Sequence, residues 1–199
     1  DRVVMPLLAR TKGTVMLSGG GDPFASKHYR SILAGLNAET DKDLTIALLT
    51  NALVLTPKQW NEFKGAHPLI HSILVSVDAA KPETYAYVRR PGNFARLLPN
   101  LEFLAQQRRA GAFGLFGLCF VVQERNFREM PDFVDLGKKL GVDAIWFQRL
   151  VNFGTFDEQG LRDADVGDAN HAHHEEFTQI LQDPRLKDPS VHLFTAFLD

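Results

Sequence analysis

Apolar residues along the chain follow two alternating patterns. Short continuous runs bounded by glycine, proline, asparagine or aspartate predict buried strands. These runs lie at residues 14–17, 44–49, 72–78, 115–122, 144–147 and 191–195. Segments with apolar residues three or four positions apart predict amphipathic helices. These segments lie at residues 27–37, 56–64, 82–89, 93–109, 126–140 and 173–182.

Strands and helices that alternate in this way predict an α/β fold built from parallel βα units with right-handed crossovers. Six such strands would form most of a (β/α) barrel or an open doubly wound sheet. We expect one domain, residues 1–199, because 45% hydrophobic residues without a low-complexity tract suit a single core. Residues 152–170, rich in Asp and Gly, predict a long loop, and residues 171–199 a C-terminal helix and strand.

The first predicted strand ends in the loop Ser18-Gly19-Gly20-Gly21-Asp22, which Pro23 follows. Glycines let the main chain take positive φ and approach a small molecule closely. Asp22 adds a carboxylate at the carboxyl end of the strand, where ligands of α/β sheets bind. The alternative interpretation is an ordinary βα turn with Ser26 as the cap of the next helix.

Charge and hydropathy narrow the class of protein. The formal net charge of −2 and the absence of a polybasic tract argue against nucleic acid and membrane surfaces as partners. No apolar run approaches the roughly 20 residues of a membrane-spanning helix, and the first residues lack the build of a signal peptide. We therefore expect a cytoplasmic protein.

Three phrases of the sequence resemble motifs of the radical S-adenosylmethionine (SAM) superfamily. The glycine loop is similar to the Gly-Gly-Glu-Pro motif of its second strand, with Asp22 in place of Glu. Thr50-Asn51 resembles the Thr-Asn-Gly that ends the third strand, with Ala52 in place of the glycine. The segment 75–79, followed by Glu83-Thr84-Tyr85 and Arg89, resembles a phrase of the subgroup that often carries a SPASM extension.

The resemblance implies a (β/α)6 partial TIM-type barrel, truncated here at its first strand. It implies SAM and a [4Fe–4S] cluster as cofactors, and reductive cleavage of SAM as the start of radical chemistry. Because members of the subgroup modify peptides, sulfatases or cofactors, the expected substrate is a peptide or a small metabolite.

The resemblance also implies which residues bind SAM, while it leaves the catalytic residues unknown. In the family the glycine loop contacts the methionyl amino group, and Ser76 and Arg89 would hold the ribose or the carboxylate. Asp78 would contact ribose or substrate, and Gln148 and Cys119 the adenine or substrate. The expected cofactor-binding set is Ser18, Gly19, Gly20, Gly21, Asp22, Asn51, Ser76, Asp78, Arg89 and Gln148. The alternatives are a solvated helix end at Arg89, a helix cap at Asp78 and core packing at Cys119.

The cysteine content conflicts with the implied cluster. The family holds its cluster on Cys-x3-Cys-x2-Cys, and this chain has one cysteine, Cys119. Because residues 1–12 leave no room for a preceding strand and its cysteines, we expect a fragment, or a family member without its amino-terminal part, that is inactive alone. Loss of a neighbouring strand would expose a sheet edge, through which the chain would self-associate unless residues 1–12 cover it.

Two further interpretations remain open. His171, His173, His174, Glu175 and Glu176 could bind a metal, or they could be the solvated start of a helix. The function could also be that of a noncatalytic α/β module that binds a nucleotide-like ligand or a partner protein. A barrel enzyme that uses Asp22 and Asp78 as acid and base, without a cluster, is the third alternative.

Overall fold

The computed structural model describes residues 4–18 and 22–194. Six strands lie in one sheet in the order of the sequence. They are β1 (Gly13–Leu17), β2 (Leu44–Thr50), β3 (Ile70–Ser76), β4 (Leu115–Val122), β5 (Ala144–Arg149) and β6 (Val191–Leu193). The pairs β1–β2, β2–β3 and β5–β6 are parallel. The predicted α/β class with parallel (β/α) units is confirmed.

Helices connect the strands. They are α1 (Val4–Leu8), α2 (Lys27–Gly35), α3 (Pro57–Glu62), α4 (Pro82–Val88), α5 (Phe94–Arg109), α6 (Met130–Leu140), α7 (Glu158–Ala164) and α8 (His174–Ile180). The side chains of Ser26 and Thr56 cap α2 and α3. The helix after Thr56 is shorter than predicted, because the chain continues as a 3₁₀ turn, Lys64–Leu69, that contains Pro68. None of the helices in the described ranges is long and apolar enough to cross a bilayer.

The segment 152–170, expected to be a long loop, contains the helix α7. The Asp157 carboxylate caps it by accepting the N–H of Gly160 (2.7 Å). No residue of α7 is buried, so the sequence has no apolar periodicity there by which the helix could be recognised. At the C-terminus, the predicted strand 191–195 is observed as β6, and residue 195 lies outside the described residues.

Contacts divide the chain into two compact units. Unit 1 comprises Asp1–Ser76 and Arg96–Gly117, and unit 2 comprises Val77–Ala95 and Leu118–Asp199. The core of unit 1 includes an aromatic cluster in which Trp60 stacks on His67, with ring centroids 4.1 Å apart. Burial lowers the pKa of His67. The core of unit 2 includes Phe120, Phe133 and Phe147, whose ring centroids are 4.8–5.9 Å apart.

The register of unit 1 brings the carboxyl ends of three strands to one edge. Leu17 pairs with Leu48, and Thr50 pairs with Val75. The residues that follow β1 and β2, and the last residue of β3, therefore lie at the same edge. At the start of the chain, α1 packs on α2, with Met5 against Gly35, while Leu7 is exposed.

Ala52 has a left-handed main chain, with φ of 55°. This is the position at which the resemblance places a glycine. The conformation is held by two hydrogen bonds: the N–H of Ala52 donates to Thr50 Oγ1 (2.9 Å), and its carbonyl accepts from Asn100 Nδ2 (2.7 Å). A residue with a Cβ is strained in this conformation by about 1–2 kcal/mol.

We predict that the free energy of unfolding of the Ala52→Gly variant is higher than that of the Ala47→Gly variant by about 1–2 kcal/mol. Both alanines are fully buried, so both changes lose one buried methyl and add the same freedom to the unfolded chain. Only Ala52 has the left-handed φ, and only there does glycine relieve strain. Denaturant titration of the two variants measures the difference. Equal destabilisation would mean that Ala52 is unstrained.

Candidate functional site

The Asp22 carboxylate joins the ends of β1 and β2 in unit 1. Its Oδ2 accepts the Thr50 hydroxyl (2.6 Å) and the N–H of Asn51 (2.7 Å). Its Oδ1 accepts the N–H groups of Phe24 (2.9 Å) and Ala25 (3.3 Å). A carboxylate has about four lone-pair sites, so these contacts saturate Asp22. Its side chain fixes the two strand ends to each other.

The glycine loop is also held at its other end. The Tyr29 hydroxyl, on α2, donates to the carbonyl of Ser18 (3.0 Å). Residues 19–21 lie outside the described residues, but the residues on both sides of them are fixed by side-chain hydrogen bonds. Tyr29 was not identified from the sequence, where it reads only as a polar position of an amphipathic helix.

Two other predicted residues lie at the same edge of unit 1. Asn51 directly follows β2, and its Oδ1 accepts the N–H of Leu53 (2.9 Å). Ser76 is the last residue of β3 and is half-buried. Unit 1 thus brings Ser18, Asp22, Asn51 and Ser76 to the carboxyl ends of three parallel strands.

In unit 2, Asp78 is a buried carboxylate, 5% exposed, with a left-handed φ of 63°. Its Oδ1 accepts the N–H of Val121 (2.7 Å), and its Oδ2 accepts Arg89 Nη2 (2.6 Å). Burial raises the pKa of the Asp78 carboxyl, while the Arg89 charge and the two hydrogen bonds oppose this rise. Asp78 does not cap a helix in this arrangement: α4 begins after Lys81.

Arg89 follows α4, and its side chain is 28% exposed. Its Nη2 contacts Asp78, but its Nε is buried and has no acceptor in the part of the chain that the structure describes. The nearby Tyr85 hydroxyl is likewise buried without a partner there, and burial raises its pKa. Arg89 is therefore held by an ion pair and retains an unused buried donor.

Asn126 and Glu129 support the Asp78 region, although the sequence pattern indicated only a helix start for them. The fully buried Asn126 donates from Nδ2 to the carbonyls of Asp78 and Val121, both at 2.9 Å. Glu129 accepts the N–H groups of residues 80 and 81 and the hydroxyl of Thr84. A buried amide and a buried carboxylate thus fix the loop between β3 and α4.

Cys119 and Gln148 differ in their surroundings. Cys119 is 2% exposed, and burial raises the pKa of its thiol above its usual value, with Asp78 adding to the rise. This agrees with core packing. Gln148 is half-buried at the penultimate position of β5.

The histidine-rich segment is held by main-chain contacts. His171 Nδ1 accepts the N–H of His173 (3.1 Å), so its Nε2 carries the proton, which it donates to the carbonyl of Asp163 (3.2 Å). His174 Nδ1 contacts the carbonyl of Val166 (3.0 Å). Among residues 4–18 and 22–194, no group of three His, Cys, Asp or Glu side chains could hold a metal ion.

Comparison with known proteins identifies one matching family. The profile of the Radical SAM superfamily matches residues 3–137. No curated protein matches the chain in sequence.

Several solved structures have a similar fold. The crystal structure of Streptococcus suis SuiB bound to S-adenosylmethionine is 11% identical, with a TM-score of 0.57 over 92% of this chain and 37% of that chain. SuiB bound to its precursor peptide SuiA is 10% identical, with a TM-score of 0.62 over 92% and 38%. Native anSMEcpe with bound AdoMet and the Kp18Cys peptide is 14% identical, with a TM-score of 0.53 over 79% and 46%. At these identities the similarity shows the fold, and the chain spans less than half the length of these proteins.

We predict that Asp22→Asn lowers the free energy of unfolding by roughly 1–3 kcal/mol. Each oxygen of Asp22 accepts two hydrogen bonds. In the asparagine variant an NH₂ group replaces one of these oxygens, so two donors of the protein lose their acceptor and face another donor. Thermal unfolding should show a decrease of several degrees. Asp43→Asn is the matched control, because Asp43 makes an exposed ion pair with Lys12, and it should have almost no effect. An unchanged melting temperature for Asp22→Asn would show that this carboxylate does not hold the strand ends.

We predict that Arg89→Met destabilises unit 2 increasingly as pH rises. Without Arg89, burial raises the pKa of Asp78 further. A carboxyl whose pKa is raised by folding stabilises the fold at low pH, and this contribution is lost as pH rises through the raised pKa. We expect a deficit of roughly 3 kcal/mol at about pH 8 that shrinks toward about pH 4.

Urea titrations across this pH range test the prediction. The double variant Arg89→Met/Asp78→Asn removes the unpaired charge, so it should lose the pH dependence and recover much of the stability. Arg128→Met breaks an exposed pair with Glu176 and serves as the control. A deficit that is the same at all pH values would show that Asp78 is not the responsible group.

Proposed function

This chain belongs to the radical SAM superfamily, and on that premise we propose that it is the SAM-binding part of the core domain of a radical SAM enzyme. The observation that carries the proposal is the edge of unit 1, where Ser18, Asp22, Asn51 and Ser76 lie at the carboxyl ends of three neighbouring parallel strands. Ligands of parallel α/β folds bind at this end of the strands.

The chemistry of Arg89 fits the carboxylate of SAM. A guanidinium matches a carboxylate through two parallel N–H groups. Asp78 holds Arg89 through Nη2, and the buried Nε has no acceptor among the described residues. We propose that Arg89 binds the methionyl carboxylate and that Asp78 is a positioning residue for it.

Asp22 has a different role in this proposal from the one that the resemblance implies. Its two oxygens already accept four hydrogen bonds, which leaves no lone pair for the amino group of SAM. We propose that Asp22 and Tyr29 fix the ends of the loop, and that residues 19–21 contact SAM through their main chain. Asn51, Ser76 and Gln148 are proposed to complete the site.

A [4Fe–4S] cluster does not fit the residues of this chain. Three thiolates are required, whereas the chain has one cysteine, which is buried and whose pKa is raised. We propose that the cluster ligands of the intact enzyme lie outside this sequence, and that this chain alone does not cleave SAM.

A peptide is the substrate class that the fold relatives favour. SuiB was crystallised with a precursor peptide, and anSMEcpe with the Kp18Cys peptide. We propose a peptide substrate for the intact enzyme, acting in the cytoplasm. We further propose self-association through β1, which is an end strand of the sheet and half exposed.

We predict weak SAM binding by the isolated chain, measured by calorimetry and compared with 5′-methylthioadenosine, which lacks the methionyl carboxylate and amine. The parent should prefer SAM. Arg89→Lys keeps the charge beside Asp78 but loses the planar pair of donors, so this preference should decrease about fivefold or more. Arg128→Lys, an equivalent change at an exposed pair, is the control.

Two outcomes would contradict the proposal. If SAM does not bind, the result favours the alternative function, a noncatalytic α/β module that binds another ligand or a protein partner. If SAM binds and Arg89→Lys leaves its preference over 5′-methylthioadenosine unchanged, Arg89 does not hold the carboxylate.

A further inference from the structure

One turn at the end of α4 carries two buried polar atoms without partners. The N–H of Arg89 donates to the carbonyl of Tyr85 (2.9 Å), so the two residues are one helical turn apart. The Tyr85 hydroxyl and Arg89 Nε are both buried, and neither has a hydrogen-bond partner among the described residues. They are the only such side-chain atoms in the described part of unit 2. Because Arg89 Nε can only donate and a hydroxyl can also donate, one acceptor would serve both.

The side chain of Tyr85 is held in one position. It is fully buried, and its ring packs on Phe94 with the ring centroids 5.4 Å apart. The ring also lies against the main chain at Gly92, where a Cβ would come within 2.7 Å of Tyr85 Cε1. The ring therefore cannot turn its hydroxyl elsewhere without moving its surroundings. A donor fixed in this way loses little freedom when it binds an acceptor.

The charges at this turn favour a neutral donor beside the guanidinium. Asp78 is buried and accepts Arg89 Nη2 (2.6 Å), so one carboxylate already balances the charge of Arg89. A second carboxylate bound at Arg89 would leave one negative charge uncompensated. Burial raises the pKa of the Tyr85 hydroxyl, with Arg89 opposing the rise and Asp78 adding to it. The hydroxyl therefore stays protonated at neutral pH and can donate to an anionic acceptor.

We propose that the Tyr85 hydroxyl binds the methionyl carboxylate of SAM together with Arg89 Nε, and that it contributes to the preference of the site for ligands that carry this group. The inference rests on the proposed function, which assigns the carboxylate to Arg89. The side chain of Arg89 is 28% exposed, so this turn of α4 is within reach of a ligand from solvent.

Calorimetry on the full 199-residue chain, with SAM and 5′-methylthioadenosine as probes, tests this inference. Tyr85→Phe keeps the ring and removes the hydroxyl. The preference for SAM over 5′-methylthioadenosine should decrease roughly tenfold, because a hydrogen bond to a charged group is lost. The affinity for 5′-methylthioadenosine should stay the same. Tyr87→Phe is the matched control, because Tyr87 lies on the same helix and is 47% exposed, and it should keep the preference of the parent.

Two further measurements distinguish a ligand contact from a structural role. In the double variant Tyr85→Phe/Arg89→Lys, the loss of preference should be smaller than the product of the two single losses, because both groups bind one carboxylate. Without ligand, Tyr85→Phe should be at least as stable as the parent in a urea titration, because the change removes a buried hydroxyl that has no partner among the described residues.

The outcomes separate this inference from the proposed function. If the parent does not bind SAM, both are overturned. If Arg89→Lys weakens the preference for SAM but Tyr85→Phe does not, only the Tyr85 contact is wrong. Independent effects of the two single variants would show that the hydroxyl acts apart from the carboxylate. A Tyr85→Phe chain that is less stable without ligand would show that the hydroxyl has a partner within the protein. Either result would overturn the inference and leave the proposed function in place.

Discussion

Main-chain N–H groups at the ends of parallel strands need acceptors once the sheet no longer supplies them. In both units, buried or half-buried carboxylates serve this purpose. Asp22 accepts three main-chain N–H groups around the ends of β1 and β2. Asp78 accepts one at β4, and Glu129 accepts two in the loop before α4. These carboxylates fix the described residues at the ends of β1 and β2 and in the loop before α4.

The residues that hold the candidate site in place are therefore different from the residues whose polar groups remain available to a ligand. A carboxylate with all its lone pairs used cannot also contact a ligand, which places Asp22 among the supports. Arg89 is the opposite case, because Asp78 occupies its Nη2, while its buried Nε has no acceptor in the described part of the chain. Since an unused buried donor is costly, a ligand that supplies an acceptor there gains affinity.

The sequence predicted the strands and most helices, because apolar runs and turn residues indicate burial directly. It also predicted that the residues of the candidate site follow the carboxyl ends of strands. Thr50 and Asn51 were correctly placed at the end of a strand. The pattern could not show that their donors converge on Asp22, which lies 28 residues away from Thr50. Helix α7 was missed because none of its residues is buried. The supporting roles of Tyr29, Asn126 and Glu129 depend on long-range contacts that no local pattern encodes.

The hydrogen bonds of Asp22 also bear on how the sequence can diverge. Three of its four donors are main-chain N–H groups, which every residue except proline provides. Positions 24, 25 and 51 can therefore change their side chains without loss of the connection, and only the Thr50 hydroxyl is specific. A junction built in this way constrains the residue type at very few positions. Its geometry can therefore be retained long after the surrounding residues have been replaced.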